Sequence, residues 1–140
     1  MKVLEIPFNK FLGIQNADDE EAYIFKLEPE DKYLNHLGTI HAGAIFALAE
    51  ASSGEYLLNQ FRDYDLNIIP VVRKVEIKFS KPANGAIYST ASIMEKSVDE
   101  IVNELSVKQR TLIKVKVDVF SENKEKVFTS IFDWFIAQND

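Results

Sequence analysis

One carboxylate stands out by its surroundings. Glu50 lies in the run Ala42-Gly43-Ala44-Ile45-Phe46-Ala47-Leu48-Ala49-Glu50-Ala51-Ser52-Ser53-Gly54, which has no proline and is dominated by residues that form or tolerate helix. At helical spacing its neighbours are Phe46, Ala47, Ser53 and Gly54, all apolar or small, and no cation on this run can pair with it. Taking a lone carboxylate out of water is costly unless water, a partner or a raised pKa relieves it. Such a group is a candidate general base or nucleophile, and the competing reading is a surface glutamate on a partly open face. His41 lies upstream, and Ala42-Gly43-Ala44 between them leaves backbone N–H groups uncovered. A bare helix N-terminus attracts negative charge, including an oxyanion formed during acyl transfer.

The elements that must position these groups follow from periodicity. The helix starts at Ala42, with Thr39 upstream as a candidate cap, and runs to about Phe61, roughly 20 residues or about 30 Å. Its many Ala, Gly and Ser residues suit a helix wrapped by a curved sheet. Upstream, Pro7 to Gly13 predicts a short helix laid against the fold by Phe8, Phe11 and Leu12. Asp18 to Glu21 reads as a charged turn before a strand over Ala22 to Leu27. Strand patterns then cover Ile68 to Ser80, Ala86 to Glu95, Thr111 to Ser121 and Lys126 to Ala137. The breaks at Lys81 to Gly85 and Ser121 to Glu125 read as hairpin-like turns. Ser97 to Leu105 predicts a short inserted helix, with Ser97 as its cap. One long helix with a run of antiparallel strands is an α+β layout, in a single domain over 1–140 with an N-terminal helical segment at 1–13 and the inserted helix at 97–106.

Composition bounds the function. A net charge of −6 argues against a general nucleic-acid binder. No apolar run is long enough to span a membrane, and an acid and a proline interrupt the N-terminus where a signal peptide would be apolar, so a cytoplasmic protein is expected. The absence of cysteine removes disulfides and thiolate chemistry, and two histidines are too few for an all-histidine zinc centre. Neither a metal nor a cofactor is expected.

The residues Asn35, Gly38, Thr39, His41, Gly43, Phe46, Leu48, Ala49 and Glu50 form a pattern that resembles the signature loop and central helix of hotdog-fold acyl-CoA thioesterases, of the phenylacetyl-CoA (PaaI-like) and YiiD C-terminal-like type. In that family the loop reads roughly Asn-x-x-Gly-Thr-x-His-Gly-Gly before a helix carrying an acid. Here Ala42 replaces the first glycine of the pair and Glu50 the commoner aspartate. Phe79 to Gly85 also resembles the family's strand end, Phe/Tyr-x-x-Pro-Ala-x-x-Gly, with a glycine one residue early. Ten residues before Pro82, where many relatives carry a small hydroxyl residue, this chain has Val72.

The resemblance implies a hotdog fold, a long central helix wrapped by a curved antiparallel sheet of about five to six strands. It implies a homodimer, with pairing of dimers also open, whose loop and helix residues face strand residues of the other subunit. The implied reaction is hydrolysis of an acyl-CoA, or of an acyl group on a carrier protein, to a carboxylic acid and free thiol. Glu50 would be the general base or the nucleophile. The N–H groups of Ala42 and Gly43 would polarise the carbonyl, Asn35 would orient water or the carbonyl, and His41 would fix the loop or the thioester; the competing readings are that Asn35 only caps a turn and that His41 only hydrogen-bonds the backbone. Gly38, Thr39 and Phe46 would contact substrate. Arg73, Lys74, Lys78 and Lys81, with Lys108 and Arg110 as secondary candidates, would form a basic rim for CoA phosphates, although sheet lysines also serve solubility. Two rivals stand beside this reading. A hotdog dehydratase would carry a His-Phe-Pro loop, which Thr39-Ile40-His41 lacks. A non-catalytic acyl-CoA binding protein would keep the pocket without activating water, as Val72 suggests.

Overall fold

The alternation of valines with polar residues along the C-terminal half resolves into the centre of one sheet. The computed structural model describes residues 1–17 and 22–139, so the turn expected at Asp18 to Glu21 lies outside the described residues. In chain order the elements are α1 (Pro7–Leu12), β1 (Gln15–Asn16), β2 (Phe25–Leu27), α2 (Ala42–Gln60), β3 (Ile68–Phe79), β4 (Ile87–Met94), α3 (Val98–Lys108), β5 (Arg110–Ser121) and β6 (Lys126–Gln138). All six strands form a single antiparallel sheet in the order β1-β2-β4-β5-β6-β3. This is the α+β hotdog architecture expected from the sequence.

The inner face of the sheet is built by period two. Ile113, Val115, Val117 and Val119 of β5 stand opposite Trp134, Phe132, Ser130 and Phe128 of β6, and all eight are buried. Against this face lies α2, with Ala44, Ile45, Leu48, Ala49, Ser52 and Leu57 turned into the core. The small residues permit close approach: a Cβ added at Gly54 would come within 3.6 Å of the Trp134 ring. The helix rests mainly over β4 and β5, and its flank reaches β6. β3 is an edge strand, and its inner-facing Ile77 and Phe79 are 39% and 50% exposed.

Lys81 to Gly85 is not a hairpin turn, because β3 pairs only with β6. The chain leaves the sheet edge after Phe79 and crosses to enter β4, which pairs with β2 and β5. On the way the Ala83 carbonyl accepts the Ile40 N–H at 2.9 Å. The Ser121 to Glu125 turn does join neighbours, β5 and β6.

The first helix also differs from expectation. Its proline and glycine are where predicted, with Gly13 at φ 81° receiving the helix end. Phe8 and Phe11, however, are 62% and 74% exposed. Asn9 turns inward instead and donates its side-chain N–H to the Val3 carbonyl at 3.0 Å, while the Leu12 carbonyl accepts the Tyr33 hydroxyl. These polar anchors set the rotation of a helix too short to bury two faces. The inserted helix α3 is capped as expected: Ser97 Oγ accepts the Glu100 N–H at 3.2 Å in a reciprocal capping box.

Candidate functional site

The start of α2 is held by its own loop. Asn35 Oδ1 accepts the N–H groups of Leu37 at 2.8 Å and Thr39 at 3.1 Å, and its Nδ2 donates to Thr39 Oγ1 at 2.8 Å. A tight turn results, in which Gly38 adopts φ 77°, a conformation that favours glycine. The loop is anchored to the fold where the Tyr33 carbonyl accepts the His41 N–H at 2.6 Å. Tyr33 is buried, and burial followed by the neighbouring Glu30 pushes its phenol up to about 12. It serves as a fixed post for the loop.

His41, not Thr39, caps the helix. With φ −62° and ψ 139° it is extended, and its Nδ1 accepts the Gly43 N–H at 2.8 Å. Thr39 lies too far back and is engaged with Asn35. The His41 carbonyl accepts the N–H groups of Ala44 and Ile45 at 3.0 and 3.2 Å. Three of the four N-terminal donors are thereby occupied, and the Ala42 N–H has no acceptor among the described residues. Of the two expected carbonyl-polarising donors, Ala42 is free and Gly43 is committed to His41.

Glu50 lies two turns further on. Phe46 and Ser53 share its helix flank, and each touches β6: the Phe46 ring is 5.7 Å from that of Phe132, and Ser53 Oγ accepts Trp134 Nε1–H at 3.0 Å. Ser53 Oγ in turn donates to the Glu50 carbonyl at 2.7 Å. This flank therefore faces the β6 and β3 side, where β3 runs beyond the cover of the helix. Glu50 is half-buried and makes no ion pair among the described residues. Burial alone raises its pKa above the ordinary glutamate value. Val72, partnered in register with Trp134, is half-buried nearby and offers no hydroxyl.

The expected basic rim is not one cluster. Lys81 bonds Glu125 at 3.0 Å and lies eight residues along the chain from Arg73, roughly 26 Å at strand rise. Lys74 stands 3.6 Å from Glu76. Arg73 sits at the β-bulge between Val72 and Lys74, with its guanidinium 5.1 Å from the Phe135 ring centre. Among the described residues no group of acidic or histidine side chains could hold a metal, and no helix is long and apolar enough to cross a membrane.

Sequence reasoning gave no part to Tyr33, Ser53 or Trp134. Ser53 is legible as a helix neighbour of Glu50, but its link to Trp134 spans most of the chain and leaves no local signal.

Residues 17–136 match the model of a family described as Domain of unknown function (DUF4442). The chain belongs to that family. No curated protein matches this DUF4442 chain significantly. Among solved structures it is similar to a Pseudomonas aeruginosa protein of unknown function, described as a probable thioesterase, at 24% identity and TM-score 0.82, covering 98% of this chain and 91% of that one. It is also similar to the PaaI protein of the phenylacetic acid degradation operon of E. coli, at 16% identity and TM-score 0.70 over 97% and 86% of the chains. A third, from Bacillus halodurans, was solved with CoA and has 22% identity and TM-score 0.63 over 80% and 69%. At these identities the likeness establishes the hotdog fold.

Proposed function

We propose that this DUF4442 protein hydrolyses an acyl-CoA thioester to a carboxylic acid and free CoA in the cytoplasm, with Glu50 as the reacting carboxylate. The observation that carries the reading is a half-buried glutamate, raised in pKa by burial and without a cationic partner among the described residues, on the helix flank beside an uncovered edge strand. The thioesterase descriptions of structural neighbours, and the CoA in one of them, point the same way.

The chemistry needs two groups close together. A donor must lie about 3 Å from the carbonyl oxygen, and the attacking atom about 3 Å from the carbonyl carbon. Ala42 and Glu50 of one helix are eight residues, about 12 Å, apart along the axis. They cannot serve one thioester. Two copies related by a twofold axis, with their α2 helices antiparallel, bring the Ala42 N–H of one beside Glu50 of the other. The uncovered inner side of β3, with Val72, Val75, Ile77 and Phe79, is the apolar surface such a homodimer would bury.

In this arrangement Glu50 takes a proton from water as the water oxygen bonds to the carbonyl carbon. The Ala42 N–H stabilises the oxyanion, and collapse breaks the carbon–sulfur bond as the proton passes to the departing thiolate. Alternatively, the Glu50 carboxylate attacks the carbonyl carbon, the carbon–sulfur bond breaks and CoA leaves as thiolate, and water then cleaves the mixed anhydride to the carboxylic acid, regenerating Glu50 and supplying the proton that the thiolate takes up. His41 and Asn35 position the donor, and Phe46 lines the acyl side.

Val72 favours a second reading, a binding protein that holds acyl-CoA without turnover. Thiol release from short-chain, aromatic and long-chain acyl-CoAs separates the two. The protein has no cysteine, so a thiol reagent reads product alone. Turnover lost in Glu50→Ala supports hydrolysis, whereas saturable binding with no release from any substrate supports the binder.

A further inference from the structure

On the outer face of the sheet, turned away from α2, a basin of about 440 Å³ lies between the end of α3, the start of β5 and the bulge of β3. Four cationic side chains, Arg73, Lys96, Lys108 and Arg110, border it with one carboxylate, Glu104. That balance is unusual on a chain of net charge −6. Glu104 is already satisfied: Thr111 Oγ1 donates to it at 2.5 Å and Lys96 Nζ lies 3.0 Å away. These bonds hold its carboxyl below the usual range, so it stays ionised and paired. Arg73, Lys108 and Arg110 have no ion pair among the described residues.

The basin is not merely charged. Its floor includes Leu112, 50% exposed, and Phe135, over which Arg73 lays its guanidinium. Lys108 and Arg110 flank Gln109, whose φ of 65° turns the chain sharply between helix and strand. Planar guanidinium and an apolar floor accept a flat ring, while cations at the rim that make no ion pair among the described residues, although the Lys108 charge also acts on Glu104, accept phosphate oxygens. The volume lies in the range of small-ligand sites.

We propose that this basin binds a nucleotide, its base stacked at Arg73 and Leu112 and its phosphates held by Lys108 and Arg110. Two sources share that chemistry, a free nucleotide and the nucleotide end of a CoA thioester. The binding claim itself does not rest on thioester hydrolysis.

Calorimetric titration of the full chain with adenosine 3′,5′-bisphosphate, with inorganic phosphate in parallel, tests it. Saturable bisphosphate binding is expected, tighter than phosphate, weakening with salt, and weaker by about tenfold or more in Lys108→Gln/Arg110→Gln. Lys10→Gln, on α1, should bind as the wild type does, and melting curves would verify that all variants fold. Absent saturation, equal affinity for phosphate, or undiminished binding in the double variant would overturn the proposal. With binding in hand, comparing acyl-CoA with the matching acyl-pantetheine identifies the source. A raised KM for acyl-CoA alone in the double variant assigns the nucleotide end of the thioester, and unchanged KM for both assigns a free nucleotide.

Discussion

The Nδ1 of His41 accepts the backbone N–H of Gly43 at 2.8 Å, so the imidazole occupies a donor that would otherwise face an incoming carbonyl. With Ala44 and Ile45 bonded to the His41 carbonyl, the first turn of α2 presents one N–H without an acceptor among the described residues, that of Ala42.

Ala42→Pro removes that donor and little else. Proline is favoured at the first helical position, and His41, at φ −62° and ψ 139°, already has the extended backbone that must precede it. The variant should melt close to the wild type while kcat falls ~10²- to 10³-fold, the usual loss for one oxyanion donor. Steady-state kinetics beside a thermal melt check both halves.

Glu50 gives a pH signature in two directions. Because burial raises its pKa, the folded state favours the neutral acid, and the associated stability is full below the ordinary glutamate range and lost as pH rises through the raised value. Glu50→Gln carries no such penalty. It should be more stable than the wild type at pH 8, with the difference fading as the medium is acidified below pH about 4. Activity runs the other way: kcat/KM of the wild type should rise with pH along a limb above the normal carboxylate range, and the limb should vanish in Glu50→Gln. Denaturant unfolding at several pH values and a pH–rate profile read the two effects.

Asn35 acts through the loop, since its amide is spent on Leu37 and Thr39. Asn35→Ala should lower both melting temperature and kcat. Asn35→Asp keeps the acceptor for the two N–H groups and should recover most of the stability. A residue bonding directly to substrate would instead lose activity in both variants with the melting temperature unchanged.

Much of this architecture was legible locally. The period-two pattern of Ile113 to Val119, the Ser97 cap and the proline-free run ending near Phe61 marked β5, the start of α3 and α2 closely, because each depends on neighbours in the chain. Pairing was not local. Nothing in Lys81 to Gly85 distinguishes a hairpin from a crossover; what decides is that β6, far downstream, pairs with β3. The aromatic offsets of α1 were real but were overruled by Asn9, whose bond to Val3 fixes the inward side. At the site, the lone acid was readable, but the helix start expected to be bare is capped, with only the Ala42 N–H lacking an acceptor among the described residues. The capture of the Gly43 N–H by His41 required the actual torsions of the loop.

The edge strand makes a further demand. Ile77→Lys and Phe79→Lys place charge on the uncovered inner face of β3. The double variant should run as a monomer in size-exclusion chromatography with light scattering, keep its circular dichroism spectrum, and lose hydrolysis. Retained activity in a folded monomer would contradict a site shared between copies.

Mixing Ala42→Pro with Glu50→Gln subunits, unfolded together and refolded, tests the shared site most directly. Neither variant alone should turn over acyl-CoA appreciably. In an equal mixture half of the dimers are hybrid, and each hybrid holds one intact pair, Ala42 from one copy and Glu50 from the other, so about a quarter of wild-type activity should return. If the mixture stays as inactive as its components while hybrid dimers are demonstrably present, the donor and the carboxylate do not meet across two subunits.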